Sequence, residues 1–317
     1  MKLFIEDHHC PGDTLEDTAV VRDLVASNPG IQVNVETTAQ ELWANNPHLD
    51  RSVTRQNADK CLKFEMPLIN QCNQNGLHVV DCLREDMQDK TGLRIKPGPR
   101  RADIHLSADE RADLSLWRNN GIPLDRPYWI LNAGYKDDTP CKHWGTVNFQ
   151  HVVELTAGKV VWVQIGGGEK THSHAPIPGA IDMRGKTTHR QFALLMFRAA
   201  GCLTGISYAM HMATIQWDGH GDRPRPCVVI GGGREPMSFT LYPNHHWHTA
   251  VGTLDCCRAG GCWNNARVKG DEKDRRPCRH PVAPQGDRLG ETVGQCMASI
   301  SPFAVRDTIM SLLEVRP

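Results

Sequence analysis

The stretch "FALLMFRAAGCLTGISYAMHMATI", Phe192 to Ile215, decides the fold. Phe192, Leu195, Met196 and Ala199 recur at helical spacing, and a glycine closes that run. "CLTG" then reads as a short buried strand, and Ser207 opens a second helix with His211 one turn later. A helix feeding a strand that feeds another helix is the signature of parallel strands joined by helical crossovers. Two readings of the turn stay open. Ser207 is an N-cap and His211 a satisfied core histidine, or the turn holds an anionic ligand on a helix N-terminus.

Outward from this stretch the same alternation continues. "YWILNAG" (128–134) and "KVVWVQIGGG" (159–168) are buried strands running into glycines, with the helix "TVNFQHVVELTAG" (146–158) between them. "PCVVIGGG" (226–233) is another such strand, and "SPFAVRDTIMSLL" (301–313) closes the chain as a helix with Pro at its first position. The first half is also βα-like. "KLFIE" (2–6) is a strand, "HHCPGD" (8–13) a turn, and "TLEDTAVVRDLVAS" (14–27) a helix that Thr14 can cap. "IQVNVET" alternates as a strand, "AQELWAN" and "HVVDCLREDMQDKTG" read as helices, "DIHL" as a strand and "SADERADLSLW" as one capped helix. The polar, proline-punctuated "RNNGIPLDRP" (118–127) is the expected linker.

Bulk properties bound the function. At 317 residues the chain is expected to form two domains. Thirty-six Lys and Arg balance 36 Asp and Glu, for a formal net charge of +0, which disfavours binding to nucleic acid by bulk electrostatics. No run of about eighteen apolar residues spans a membrane, and charge interrupts the N-terminal stretch, so a cytoplasmic location is expected. Twelve cysteines then point to free thiols or metal ligands rather than disulfides.

In a doubly wound sheet, ligands bind where strand ends turn into helices. Four features fall there. Gly12 allows a tight turn before Asp13, whose plain reading is a helix cap. Lys142 and Trp144 lie in a loop after a strand, where a surface lysine is the plain reading. Glu169 follows the glycines of "GGGEK", which lack the spacing of a dinucleotide or Walker loop; the missing "GxGxxG" also counts against a nicotinamide oxidoreductase. The fourth is the turn at Ser207.

Taken in order, "PGD" with the "L…VRDL" helix, "W", "GGGE", the "GxS–MH–A" turn and "VVIGGG" resemble the family 9 glycosyltransferases, the ADP-heptose lipopolysaccharide heptosyltransferase group. The resemblance spans nearly the whole chain and implies a GT-B fold: two facing Rossmann-like domains with parallel sheets. It implies an acceptor-binding domain over 1–120, a nucleotide-sugar-binding domain over 121–300, and a C-terminal helix, 301–317, crossing back to the first. The implied reaction is inverting transfer of a heptose-like sugar from a nucleotide-diphosphate donor, ADP-sugar favoured, to a hydroxyl of a glycan or protein. By resemblance Asp13 is the general base, Lys142 pairs with the donor diphosphate, Glu169 takes the ribose hydroxyls, and Ser207 to His211 bind the phosphates with Gly12 nearby. Ile206 and Tyr208 depart from the family's Asp and Gly; Tyr208 would narrow the pocket or stack on the donor. Lys142 and a helix N-terminus supply positive charge at the leaving group, so no divalent metal is expected in catalysis. A helix-start Asp13 is expected to have a low pKa.

The Cys-rich segment 254–297 is the densest chemical signal. Cys257, Cys262, Cys278 and Cys296, with Cys256 competing for the first place, suffice for one tetrahedral site, and the plain reading is unpaired buried thiols. The cluster resembles the iron site of the autotransporter heptosyltransferase branch, implying a structural zinc or iron that staples the tail. "NHHWH" (244–248) reads as a solvated loop. Two other functions remain. "RIKPGPRR" (94–101) could follow a phosphate backbone in a glycosyltransferase acting on nucleic-acid bases, and a degenerate body with a metal ribbon could be a non-catalytic nucleic-acid binder.

Overall fold

Three parallel strands organise the first part of the chain, in the order β2–β1–β3: β1 (Lys2–Asp7), β2 (Gln32–Thr37) and β3 (Lys60–Lys63). The computed structural model describes residues 1–66, 76–136, 139–167, 172–221, 223–262, 278 and 280–314. Helix α1 (Pro11–Ser27) follows β1 directly, with Leu15, Ala19, Val20 and Leu24 buried against Leu3 and Ile5. Its N-cap is Cys10, without a side-chain cap, rather than Thr14. The Thr14 hydroxyl instead donates to Asp7 Oδ2 (2.8 Å) and ties the helix to the strand end. Helix α2 (Val79–Thr91) starts on His78, whose ring accepts from Val80 N, and stops on Gly92 at φ 73°, the left-handed value glycine tolerates.

Three expectations here are corrected. Gln40–Trp43 forms only a 3₁₀ turn, and residues 103–106 form no strand. "SADERADLSLW" splits into α3 (Ala108–Ala112), with a capping box on Ser107, and α4 (Ser115–Asn119), because Asp113 adopts an extended conformation.

The second sheet is wholly parallel. Its strands, β4 (Tyr128–Asn132), β6 (Val161–Gln164), β8 (Ala180–Asp182), β9 (Gly201–Gly205), β10 (Cys227–Gly232) and β11 (His245–Thr249), run in the order β11–β10–β9–β4–β6–β8. The order reverses between β4 and β9, which opens a crevice at their carboxyl ends. Helices α5 (Thr146–Leu155), α6 (His189–Arg198), α7 (Tyr208–Met212) and α8 (Met237–Thr240) follow strands of this sheet. Two short antiparallel pairs decorate it: β5 (Tyr135–Lys136) with β7 (His172–Ser173), and β12 (Pro281–Val282) with β13 (Val293–Gly294), the latter followed by α9 (Gln295–Ala298).

One apolar cluster runs through both sheets, from Leu3 and Leu15 to Met196 and Phe239. A second covers the other face of the second sheet, with Trp129, Trp144, Trp162 and Val228. Trp144, expected in a loop with chemistry, is thus core, its indole N–H donating to Ile300 O (3.1 Å). Helix α10 (Pro302–Glu314) packs here too, against α5, with Val305 and Ile309 buried in this cluster. Among the described residues the apolar stripe of this helix is satisfied on the second sheet. The loop expected at "NHHWH" is corrected, since His245 to His248 belong to β11 and His245 is buried. No helix of the described residues is long and apolar enough to cross a membrane.

Candidate active site

Between the two sheets lies a cleft of about 730 Å³, lined by the start of α1 on one side and by the ends of β4, β6 and β9 on the other. Gly12, Asp13, Lys142, Ser207, Tyr208 and His211 all line it. These residues are dispersed over some two hundred positions, and the fold brings six of the seven non-cysteine candidates together. Glu169, the seventh, lies outside the described residues.

Gly12 sits where α1 meets α7. A Cβ there would meet Tyr208 Cα at 3.5 Å and His211 Cδ2 at 3.7 Å, ordinary van der Waals distances, so the two helices are in close contact at this turn. Asp13 is in the first turn of α1, yet its carboxyl is raised from the ordinary 3.8 to about 6. Burial is the main cause and the negative charge of Glu16 the second, while His211, His9 and Lys142 pull the other way. The expected low pKa is therefore corrected: desolvation outweighs the helix terminus. Among the described residues no hydrogen bond or ion pair holds the Asp13 carboxylate. Beneath it, His9 Nδ1 lies 2.9 Å from Asp17 Oδ2, and the buried Asp17 is pushed well above the usual range by burial and by Asp7.

Across the cleft, Lys142 Nζ lies 2.7 Å from Glu235 Oε1, and Arg234 pairs with the same carboxylate. Burial disfavours the Glu235 charge, but Lys142 and Arg234 outweigh it and hold its pKa below the ordinary value. Ser207 Oγ contacts Thr204 Oγ1 at 2.9 Å and Asn132 Oδ1 at 3.4 Å, and it does not cap its helix. Helix α7 is five residues long, so the turn offers local N–H groups rather than a full macrodipole. Tyr208 lies edge-on to His189 and Phe192, at 5.3 and 5.4 Å, with its buried hydroxyl unpartnered among the described residues.

His211 is neither a plain core histidine nor a free ligand. Its Nδ1 lies 3.1 Å from Glu16 Oε1 and 2.9 Å from the Tyr242 hydroxyl, which itself donates to Glu16 (2.9 Å). Burial opposes the imidazolium, but Glu16 and Asp13 prevail and raise its pKa. Glu16 follows Asp13 by one helical turn, a spacing visible in the sequence; Tyr242 carried no such signal. His174 was also missed. Its ring lies across Gly134 and Gly166 at the ends of β4 and β6, where a side chain on either glycine would collide with it, and burial pushes its pKa down to about 4.

The cysteines gather at the carboxyl end of β10. A Cβ on Gly233 would fall 3.2 Å from Cys257 Sγ and from Cys296 Cβ, and one on Gly294 would fall 3.4 Å from the sulfurs of Cys278 and Cys296. The Cys262 N–H donates to Gly233 O (3.0 Å), and Cys257, Cys262 and Cys296 are buried. Burial raises the Cys296 thiol to about 11. Among the described residues, the groups with three ligand atoms within 4.8 Å of one another are Asp7–His9–Asp17 and His48–Asp103–His105, so the thiols converge more loosely than a formed tetrahedral site.

Two facing Rossmann-like domains with the ligand cleft between them define the GT-B fold, and solved structures share it. Over 99% of this chain and 99% of the other, E. coli ADP-heptose lipopolysaccharide heptosyltransferase II is similar at a TM-score of 0.67 and 14% identity. The family 9 glycosyl transferase from Veillonella parvula DSM 2008 matches at 0.68 and 13%, over 99% and 97%. The iron-containing dodecameric glycosyltransferase TibC from enterotoxigenic E. coli H10407, also solved with ADP-D-β-D-heptose, matches at 0.65 and 16%, over 99% of this chain and 76% of its own. No family model and no curated protein matches the sequence.

Proposed function

We propose that the protein is an inverting glycosyltransferase that moves a heptose-like sugar from an ADP-sugar to a hydroxyl of an acceptor glycan or protein. The observation that carries this reading is the free, half-buried carboxylate of Asp13 facing Lys142 and the Ser207 turn across a cleft at the switch point of the second sheet. The domain division expected from the sequence fits it: acceptor on residues 1–120, donor on residues 121–300.

In this mechanism Asp13 accepts the proton of the acceptor hydroxyl as that oxygen attacks the anomeric carbon from the face opposite the nucleotide. A base near pH 6 ionises in neutral solution and retains more proton affinity than an ordinary aspartate. The C–O bond to the diphosphate breaks through an oxocarbenium-like transition state. Charge on the departing diphosphate meets Lys142, which must turn from Glu235, and the N–H groups after Ser207. His211, held by Glu16 and Tyr242 with its pKa raised, lines the same cleft, where its imidazolium form would add positive charge. Glu169 remains the proposed ribose contact, and Tyr208 the wall against the sugar or base.

The four cysteines Cys257, Cys262, Cys278 and Cys296 suit a zinc or iron ion by donor chemistry, since thiolates favour such cations and a cation would favour ionisation of a buried thiol such as Cys296. Its part would be structural: the ion would order the tail beside Gly233 and Arg234, next to Glu235 at the edge of the cleft. Released nucleoside diphosphate, measured across ADP-, GDP-, UDP- and CDP-sugars, tests the reading. ADP-sugar turnover with inverted product stereochemistry is expected; no turnover of any nucleotide-sugar with glycan, protein or DNA present would refute it.

A further inference from the structure

We propose that His48, Asp103 and His105 form a binding site for a borderline divalent transition-metal ion, separate from the cysteine cluster and built of nitrogen and oxygen donors. His105 Nε2 lies 2.8 Å and His48 Nε2 3.4 Å from the same carboxylate oxygen, Asp103 Oδ2, and all three ligand atoms fall within 4.8 Å of one another. Metal–nitrogen and metal–oxygen bonds of about 2.0–2.1 Å at tetrahedral angles place donors roughly 3.4 Å apart, which the His48–Asp103 spacing already matches, while the His105–Asp103 contact must open slightly and the two imidazole nitrogens, within 4.8 Å, settle to that spacing. Imidazole and carboxylate together suit zinc, cobalt or nickel.

The surroundings pre-set the donors. The other carboxylate oxygen, Asp103 Oδ1, faces Arg22 at 3.9 Å, which leaves Oδ2 for the ion. Asn46 clamps both segments, donating from Nδ2 to Asp103 O (3.3 Å) while its Oδ1 accepts from His48 N (2.9 Å). Asp103 N donates to Thr18 Oγ1 (2.8 Å), which fixes the segment on α1. The side chains are 24%, 12% and 34% exposed, so water can complete the coordination shell.

The location gives the ion a consequence. Ala102 N donates to Thr214 Oγ1 (2.9 Å), and Arg190 donates to His105 O, both partners coming from the second domain. An ion at this triad ties the 46–48 loop to the segment on which the second domain docks, so binding is expected to stiffen that docking.

Co²⁺ titration of the full chain tests this, followed by equilibrium dialysis and absorption spectroscopy. The wild-type chain is expected to hold one more Co²⁺ equivalent than the H48A/H105A double variant, and that equivalent should lack the intense thiolate-to-cobalt charge-transfer band. The same equivalent should persist in a C257S/C262S variant and raise the thermal midpoint. Asp103→Asn, which keeps the side-chain volume, should weaken it by at least the roughly 10–100-fold that loss of an outer-shell partner alone costs. Equal stoichiometry and affinity in wild type and Asp103→Asn, or thiolate bands on every bound ion, would overturn the proposal.

Discussion

Asp13→Asn separates stability from catalysis and tests both halves of the site argument. In the folded chain the carboxyl titrates near 6 against 3.8 for an ordinary aspartate, so folding opposes its ionisation. Two pH units at 1.36 kcal/mol each put the cost of the buried charge at about 3 kcal/mol. The sign follows from the raised value. Below pH 3.8 the carboxyl is protonated in both states and costs nothing; the penalty grows between about pH 4 and 6 and is complete above it. Removing the charge is therefore expected to stabilise the protein by up to about 3 kcal/mol at pH 8, a large share of the 5–15 kcal/mol typical of a folded domain. The same change should lower sugar transfer by roughly 10²-fold or more, the scale of a lost general base, with ADP binding retained. Wild-type kcat/KM should rise with pH through about 6. Urea midpoints at pH 4 and pH 8, beside transfer rates, provide the assay. A variant no more stable at pH 8 than wild type would refute the buried-charge argument, and one with full activity would remove Asp13 from the reaction.

Lys142→Ala should weaken ADP much more than adenosine in calorimetry, because the lysine meets phosphate charge; equal losses would assign it a structural part through Glu235. Elemental analysis should find close to one more zinc or iron per chain in wild type than in the C257S/C262S variant, with a higher thermal midpoint for the wild type; equal metal content and stability in the two would dismiss the staple. Glu110→Gln should destabilise the domain junction near neutral pH, since Arg190 lies 2.5 Å from Glu110 and holds its carboxyl down to about 2. That stabilisation is present above pH 4.5 and fades toward pH 2, so the two proteins should converge in thermal midpoint as acid is added.

The sequence by itself determined the parallel architecture of the second domain. Helical spacing at Phe192, Leu195 and Met196, the all-apolar strands and their glycine ends depend on local periodicity, and each became the element expected. The first domain was less legible, because short polar segments such as "DIHL" carry a strand pattern with no neighbouring strand to complete it. Asp13, Lys142, Ser207 and His211 were legible as candidates because strand-end turns can be read locally. Their electrostatics were not. Asp13 looked like an ordinary helix-start acid until α7 closed over it and Glu16 was brought against His211 and Tyr242, 195 and 226 positions away. Charge state depends on desolvation and on partners across the cleft, and both exist only once the chain has folded; the His48–Asp103–His105 triad, from segments some 55 residues apart, arises in the same way.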